Sequence, residues 1–260
     1  MEKKLKDTVA IILAAGVSKR MNTGTPKVLQ EVCGRPMLAY VLDTCRAVGI
    51  SKIYVVIGFG AELVKKRFAD ASDVTWILQS EQRGTGHAVL CCKELLKSFA
   101  GKTFVLCGDG PLLRPEVLNE LLQNHNGQTT ATLATAILDD PTGYGRIIRD
   151  GSGSLKGIVE HKDCTAEQLK IKEVNPSYYL FDNRKLFETL GQVNNNNIQK
   201  EYYITDVFGI MLQKGCKVAV VAAVRPEEAM SVNTKEELDK LNGIMSKRIG
   251  CSCAGSRKEL

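Results

Sequence analysis

Two hydrophobic patterns alternate along the chain. Short apolar runs rich in β-branched residues occupy positions 8–13, 52–57, 74–78, 103–107 and 131–138. Between them, at 36–48, 61–69, 87–99 and 115–125, apolar residues recur every three to four positions. The first pattern predicts strands and the second amphipathic helices. Strands that read as nearly continuous apolar blocks are buried on both faces, so the alternation predicts an α/β fold with a mostly parallel central sheet and helices on both sides. In such sheets ligands gather at the carboxyl ends of the strands.

After Pro141 the pattern changes. Residues 144–149 and 155–161 flank Asp150-Gly151-Ser152-Gly153 and predict a hairpin, and 172–181 reads as another extended run. Helical spacing returns at 184–190 and 201–212, followed by a strand at 218–224 and a final helix from about 234 to 248. The second half is therefore expected to form a smaller lobe that leaves the sheet domain and rejoins it. The run Asn194-Asn195-Asn196-Asn197 reads as a solvated loop, and no internal repeat, hexapeptide or otherwise, is present.

Composition narrows the class. A chain of 260 residues with 44% apolar and 25% charged side chains is ordinary for a globular protein. No window approaches a membrane span, and the charged N-terminus is unlike a secretory leader, so a cytoplasmic protein without membrane contact is expected. The net charge of +6 is scattered, which favours an anionic ligand weakly and gives no sign of a nucleic-acid partner. Nine cysteines, mostly inside apolar runs, read as reduced core thiols. Cys251-Ser252-Cys253 lacks the second ligand pair of a zinc site.

The first candidate for chemistry is the turn after the first strand, Leu13-Ala14-Ala15-Gly16-Val17-Ser18-Lys19-Arg20-Met21, with Pro26-Lys27-Val28-Leu29 close behind. Small residues let backbone N–H groups approach phosphate oxygens, and Arg20 and Lys27 can neutralise their charge, so the expected ligand is a polyphosphate. A structural turn with surface cations would present the same residues. Neither GxxxxGK[ST] nor GxGxxG is present.

Five further motifs follow in order: Gln79-Ser80-Glu81-Gln82-Arg83-Gly84-Thr85-Gly86-His87-Ala88, Gly108-Asp109-Gly110-Pro111-Leu112, Gly143-Tyr144-Gly145-Arg146-Ile147, Glu160-His161-Lys162-Asp163 and Glu201-Tyr202-Tyr203-Ile204-Thr205-Asp206. Over roughly residues 8–240 the chain resembles the uridylyltransferase domain of bacterial N-acetylglucosamine-1-phosphate uridylyltransferases. The resemblance implies a Rossmann-like nucleotidyltransferase fold. It implies a nucleotidyltransferase domain over 1–240, with 141–200 contributing a sugar-binding lobe and 241–260 a terminal helix and tail. The implied reaction joins UTP to N-acetylglucosamine 1-phosphate with Mg²⁺, giving UDP-N-acetylglucosamine and pyrophosphate. Such a transfer brings two polyanions together, so positioning and charge neutralisation suffice without a protein nucleophile.

The resemblance also assigns roles. Arg20 and Lys27 act on phosphate charge, and Leu13, Ala14, Ala15, Gly16, Lys27, Gln79, Gln82, Gly84 and Thr85 bind the nucleotide. Gly145, Glu160, Asn175 and Thr205 bind the sugar, and Asp109 and Asn233 hold the metal. Asp109 at a strand's carboxyl end suits a cation between phosphates, although an Asp in Gly-Asp-Gly-Pro is equally a turn former. Asn233 doubles as a candidate cap for the last helix. A Gln amide can offer a donor and an acceptor to a pyrimidine edge. His87 reads as structural, Arg146 as a cation stabilising the lobe, and Tyr202 and Tyr203 as helix packing.

The chain departs from the family at Ser18 and Lys19, where Gly-Thr is usual, at Arg83 and Gly110, where apolar residues are usual, and at Asn175-Pro176-Ser177, where Asn-Thr-Gly is frequent. Bifunctional members continue into a left-handed β-helix that acetylates glucosamine 1-phosphate and forms a trimer. No hexapeptide series follows here, so neither acetyl transfer nor that trimer is expected, and the oligomeric state stays open. The alternatives are another sugar 1-phosphate, a cytidylyltransferase of the methylerythritol-phosphate or molybdenum-cofactor type, and a non-catalytic binding subunit. The segments GTGHA, GYGRI and EYYITD disfavour the cytidylyltransferase.

Overall fold

The computed structural model describes residues 5–16, 24–232 and 234–250. Arg20, Asn233, the Ser18-Lys19 departure and the Cys251-Ser252-Cys253 tail lie outside the described residues. The described residues form a seven-stranded sheet in the spatial order Lys217–Val221, Thr129–Ala134, Tyr178–Asp182, Lys102–Cys107, Thr8–Ala14, Ile53–Ile57, Val74–Leu78. Thr8–Ala14 pairs in parallel with Ile53–Ile57 on one side and Lys102–Cys107 on the other, so the chain reverses its direction of travel across the sheet there. Tyr178–Asp182 alone runs antiparallel to its neighbours.

Period-two alternation divides each strand between two dry layers. In Thr8–Ala14, Ala10, Ile12 and Ala14 face the layer filled by the Met37–Ala47 and Pro115–Asn124 helices, through Leu38, Val41, Leu42, Val117, Leu118 and Leu121. Val9 and Ile11 face the opposite layer with Leu186, Phe187, Val207, Phe208 and Met211 from Asn183–Leu190 and Asp206–Gln213. Helices cover both faces, as the sequence pattern requires.

A second, antiparallel sheet carries the lobe, in the order Leu155–Val159, Gly145–Arg149, Glu173–Asn175, Ala136–Ile137. Two runs expected as single strands are divided between the sheets. The 131–138 run breaks at Thr135, whose N–H donates to Val221 O (2.8 Å) as the chain leaves the main sheet. The 172–181 run breaks at Pro176-Ser177, where proline offers no N–H and Ser177 takes φ +65°. The hairpin forms as expected, its turn held by Asp150 Oδ1, which accepts from the N–H groups of Ser152 (2.9 Å) and Ser154 (3.0 Å).

Two helices differ from the pattern. The 87–99 stretch divides into Thr85–Leu90 and Lys93–Leu96, where Cys92 N–H reaches back only three residues to Val89 O. The 201–212 stretch is helical only from Asp206, because residues before it are pinned elsewhere. The last helix, Lys235–Ile249, is capped by Thr234 in a capping box with Glu237, so the cap falls one residue after Asn233. That helix runs without interruption through position 240, and its Leu241 and Met245 bury against Val32, Met37 and Leu112.

Glu228 ties the helix to the sheet domain. Its side chain is fully buried and accepts from Arg114, from Arg248 Nη2 (3.4 Å) and from the Arg225 N–H (3.1 Å). Arg248 also donates to Leu112 O (2.7 Å). Glu228→Ala would leave two guanidinia facing an uncompensated hole. Urea denaturation of this variant is expected to show a loss of about 3 kcal/mol, because both arginines keep some access to water. A loss below about 1 kcal/mol would mean that water replaces the carboxylate.

Candidate active site

Three strand ends deliver the polar groups. Gly16 lies beyond Thr8–Ala14, Gln79 follows Val74–Leu78, and Asp109 follows Lys102–Cys107 by two residues. With Lys27 at the start of the short Lys27–Leu29 turn, they line a cavity of about 650 Å³. Leu13, Ala14, Ala15, Gln82, Gly84, Thr85 and Glu160 line the same cavity, so the expected nucleotide residues are brought together. A smaller cavity of about 180 Å³ is lined by Gly145, Asn175 and Tyr178 on the lobe side. Cys107, Asp109, Glu160 and Ser177 line both cavities and form their junction.

Lys27 Nζ and an Asp109 carboxylate oxygen form an ion pair at that junction. Burial pushes the Asp109 carboxyl up, but the charge and hydrogen bond of Lys27 outweigh it and hold the group below its ordinary value. Cys107 lies beside it, its thiol pushed well up by burial and then by the Asp109 charge.

At the far end, Gln79 is buried with its Nε2 donating to Gly84 O (3.1 Å) and meeting His87 Nδ1 (3.0 Å). Because a carbonyl only accepts, the Gly84 contact fixes which end of the amide is nitrogen. Both amide protons are engaged, and the side chain keeps its oxygen, not a donor-acceptor pair, for a ligand. His87 thus acts as a structural partner of Gln79.

The Gly84-Thr85-Gly86 turn is clipped to a segment more than a hundred residues away. Tyr202 N–H donates to Arg83 O (2.9 Å), Gly86 N–H to Tyr202 O (2.7 Å) and Ile204 N–H to Thr85 Oγ1 (3.0 Å). Gly84 has φ +102°, and a Cβ there would stand 2.6 Å from Tyr202 O, so only glycine fits. Arg83 lies over the Tyr202 ring at 5.2 Å, which gives this departure from the family pattern a cation–π partner. These bonds pin residues 202–204 and explain the late start of the helix.

On the lobe side, Glu160 accepts from Thr205 Oγ1 (3.0 Å), and burial, ahead of nearby Asp206, Asp163 and Glu201, raises its carboxyl above the ordinary value. A Cβ on Gly145 would come within 3.4 Å of Glu160 Oε2. Thr205 lines neither cavity and reaches the site only through Glu160. Asn175 is buried, donating to Tyr179 Oη (2.6 Å) and accepting from Ser177 N–H (3.0 Å). Arg146 is also buried, bonded to the carbonyls of Tyr144 and Leu169 inside the lobe and away from both cavities.

Cavity-lining side chains to which the sequence assigned no site role include Lys162, Gln199, Tyr203 and Cys107. Lys162 and Tyr203 belong to recognised motifs, and Lys162 Nζ donates to Gln199 Oε1 (2.6 Å), which the Gln199 amide links to Tyr203 Oη (2.8 Å). Cys107 had only the signature of an apolar strand end. Among the described residues no cluster of three or more His, Cys, Asp or Glu gathers to hold a metal. Asp109 is one hard oxygen donor open to both cavities, a set that suits a divalent cation completed by ligand phosphates.

A titration reads the ion pair directly. In the parent, the stabilisation that follows from the lowered Asp109 pKa is present above the unfolded-chain value and is lost as pH falls through the folded value. In Lys27→Met the largest force opposing burial is gone, so the Asp109 carboxyl carbon is expected to titrate higher than in the parent by carbon-detected NMR. Titration unchanged from the parent would show that Lys27 does not set this charge.

Residues 10–200 match the family model described as the MobA-like NTP transferase domain. The chain is 48% identical over 241 residues to the bifunctional protein GlmU of Clostridium botulinum (strain Loch Maree / Type A3), and 46% identical over 241 residues to those of Clostridium acetobutylicum and Clostridium novyi (strain NT). Each alignment takes in 92% of this chain and 52% of the relative, so the chain spans about half the length of the curated relatives it matches. No helix among the described residues is long and apolar enough to cross a membrane. With a matching model over most of its length and nucleotide-sized space at the switch point of its sheet, the chain belongs to the MobA-like NTP transferase domain family.

Proposed function

We propose that this chain transfers UMP from UTP to N-acetylglucosamine 1-phosphate, releasing pyrophosphate, with Mg²⁺. The observation that carries the reading is the junction of two cavities at one ion pair, Lys27 and Asp109. A reaction between two bound ligands needs such a shared wall. A phosphate oxygen of the sugar 1-phosphate attacks the α-phosphorus of UTP, the new P–O bond forms, and the bond to the departing pyrophosphate breaks. Lys27 faces this charge directly, and Arg20 is assigned to it by the sequence pattern alone. Held by Asp109, with Asn233 as the second protein ligand, Mg²⁺ would supply charge neutralisation between the phosphates.

The base preference follows from Gln79. Its free amide oxygen accepts from the N3–H of a uracil, whereas cytosine has an acceptor at N3 and would set two lone pairs against each other. At the sugar end, Glu160 is an acceptor for hydroxyl groups, and Gly145 leaves room above it. Lys162, which donates to the neutral Gln199 amide, adds a second cation to the lining of the larger cavity.

Purified protein with Mg²⁺ is to be assayed for pyrophosphate release across UTP, CTP, ATP and GTP and a panel of sugar 1-phosphates. UTP with N-acetylglucosamine 1-phosphate is expected to be the best pair. Turnover with CTP and a methylerythritol phosphate, and none with UTP, would replace the reading with a cytidylyltransferase. No pyrophosphate release with any pair would favour a binding subunit. Lys27→Ala is expected to lower kcat at least about 100-fold. Glu160→Gln is expected to raise KM for the sugar phosphate about tenfold with KM for UTP little changed. Equal shifts in both KM values would take Glu160 out of the sugar site.

A further inference from the structure

Gly110 is glycine for a reason other than backbone conformation. Its φ is not positive, yet a Cβ built on it would overlap Tyr178 Oη and stand 3.2 Å from both Cys107 Sγ and Tyr178 Cζ. The Tyr178 hydroxyl therefore fills the space that a side chain at position 110 would take. Tyr178 is 1% exposed and sits opposite Leu106 on the antiparallel strand next to Lys102–Cys107. Its hydroxyl has a distant backbone acceptor, Glu228 O at 3.4 Å, and it lies against Gly110 beside the Cys107 thiol. The thiol in turn sits between that hydroxyl, the Asp109 carboxylate and Pro176 O (3.6 Å).

The segment that these groups support has few other anchors. Gly108 N–H donates to Leu13 O (2.9 Å) on one side of Asp109, and Gly110 O accepts from Leu113 N–H (3.2 Å) on the other. Two glycines flank Asp109, and glycine leaves a backbone more freedom than any other residue. A carboxylate that must meet Lys27 at the junction of two cavities needs that freedom removed by packing.

We propose, resting on the reading of Asp109 as the ligand of a phosphate-bound metal, that Tyr178 is a positioning residue for it: the phenol hydroxyl, seated in the space left by Gly110, packs against the Gly108-Asp109-Gly110 turn and holds the Asp109 carboxylate toward Lys27. Gly110 and Tyr178 form a matched pair, each requiring the other. Tyr178 does not touch the reacting atoms and acts through the turn.

Four proteins test this: the parent, Gly110→Ala, Tyr178→Phe and the double variant. Thermal unfolding, Mn²⁺ binding in the presence of UTP by electron paramagnetic resonance, and kinetics over a Mg²⁺ titration are measured on each. Tyr178→Phe is expected to keep its melting temperature near the parent's, while Mn²⁺ binding weakens and the half-saturating Mg²⁺ concentration rises about tenfold. Gly110→Ala is expected to lose melting temperature and Mn²⁺ binding together. The double variant, with the overlapping oxygen removed, is expected to recover both relative to Gly110→Ala. The proposal is overturned if Tyr178→Phe binds Mn²⁺ as the parent does, if the double variant is no better than Gly110→Ala, or if the parent binds no Mn²⁺ with UTP. A parent that binds Mn²⁺ with UTP but does not turn over N-acetylglucosamine 1-phosphate removes only the sugar assignment, and the Mn²⁺ and melting data still decide the role of Tyr178.

Discussion

Because the middle of the strand Thr8–Ala14 is dry on both faces, with Val9, Ala10, Ile11 and Ile12 at 1% exposure or less, it has no side-chain position there at which a polar group could work. The same holds for Phe104, Val105 and Leu106 beside it. Polar chemistry is displaced to the ends of these strands, where the chain turns and backbone N–H groups come free. Lys27 and Asp109 meet there because the two central strands end side by side, Leu13 opposite Cys107. The ion pair is thus a product of sheet register as much as of two residue types.

The parts of the fold that were legible in the sequence are those where one local pattern decides the outcome. Val74–Leu78 and Pro115–Asn124 stand almost where the apolar spacing puts them. What the pattern could not show is a run handed from one sheet to another, since residues 131–138 and 172–181 are apolar and extended on both sides of the break and only pairing distinguishes the halves. The late start of Asp206–Gln213 is a case of tertiary bonds overriding helical spacing, because Tyr202 O, which a helix begun at 201 would turn to Asp206 N–H, accepts from Gly86 N–H instead.

The site was legible to a similar degree and for a related reason. Residues at strand ends and in glycine-rich turns, from Leu13 to Gly16 and from Gln79 to Thr85, carry a local signature, and they share one cavity. Thr205 carries the motif but touches the site through Glu160, a distinction that depends on one hydroxyl direction. Cys107 had no signature at all, since a thiol at the end of an apolar strand reads like any core residue. Its other neighbours, Pro176 O and Tyr178, come from the antiparallel strand beside it and the turn leading into that strand, which the alternation of strands and helices does not announce.

Ile204 and Thr205 are consecutive, yet they brace different walls of the site. The Ile204 N–H holds the hydroxyl of Thr85 in the nucleotide wall, and the Thr205 hydroxyl holds the carboxylate of Glu160 in the wall shared with the sugar lobe. Two adjacent residues therefore brace both Thr85 and Glu160 from one stretch of backbone, so a shift of residues 204 and 205 moves the two cavity walls together.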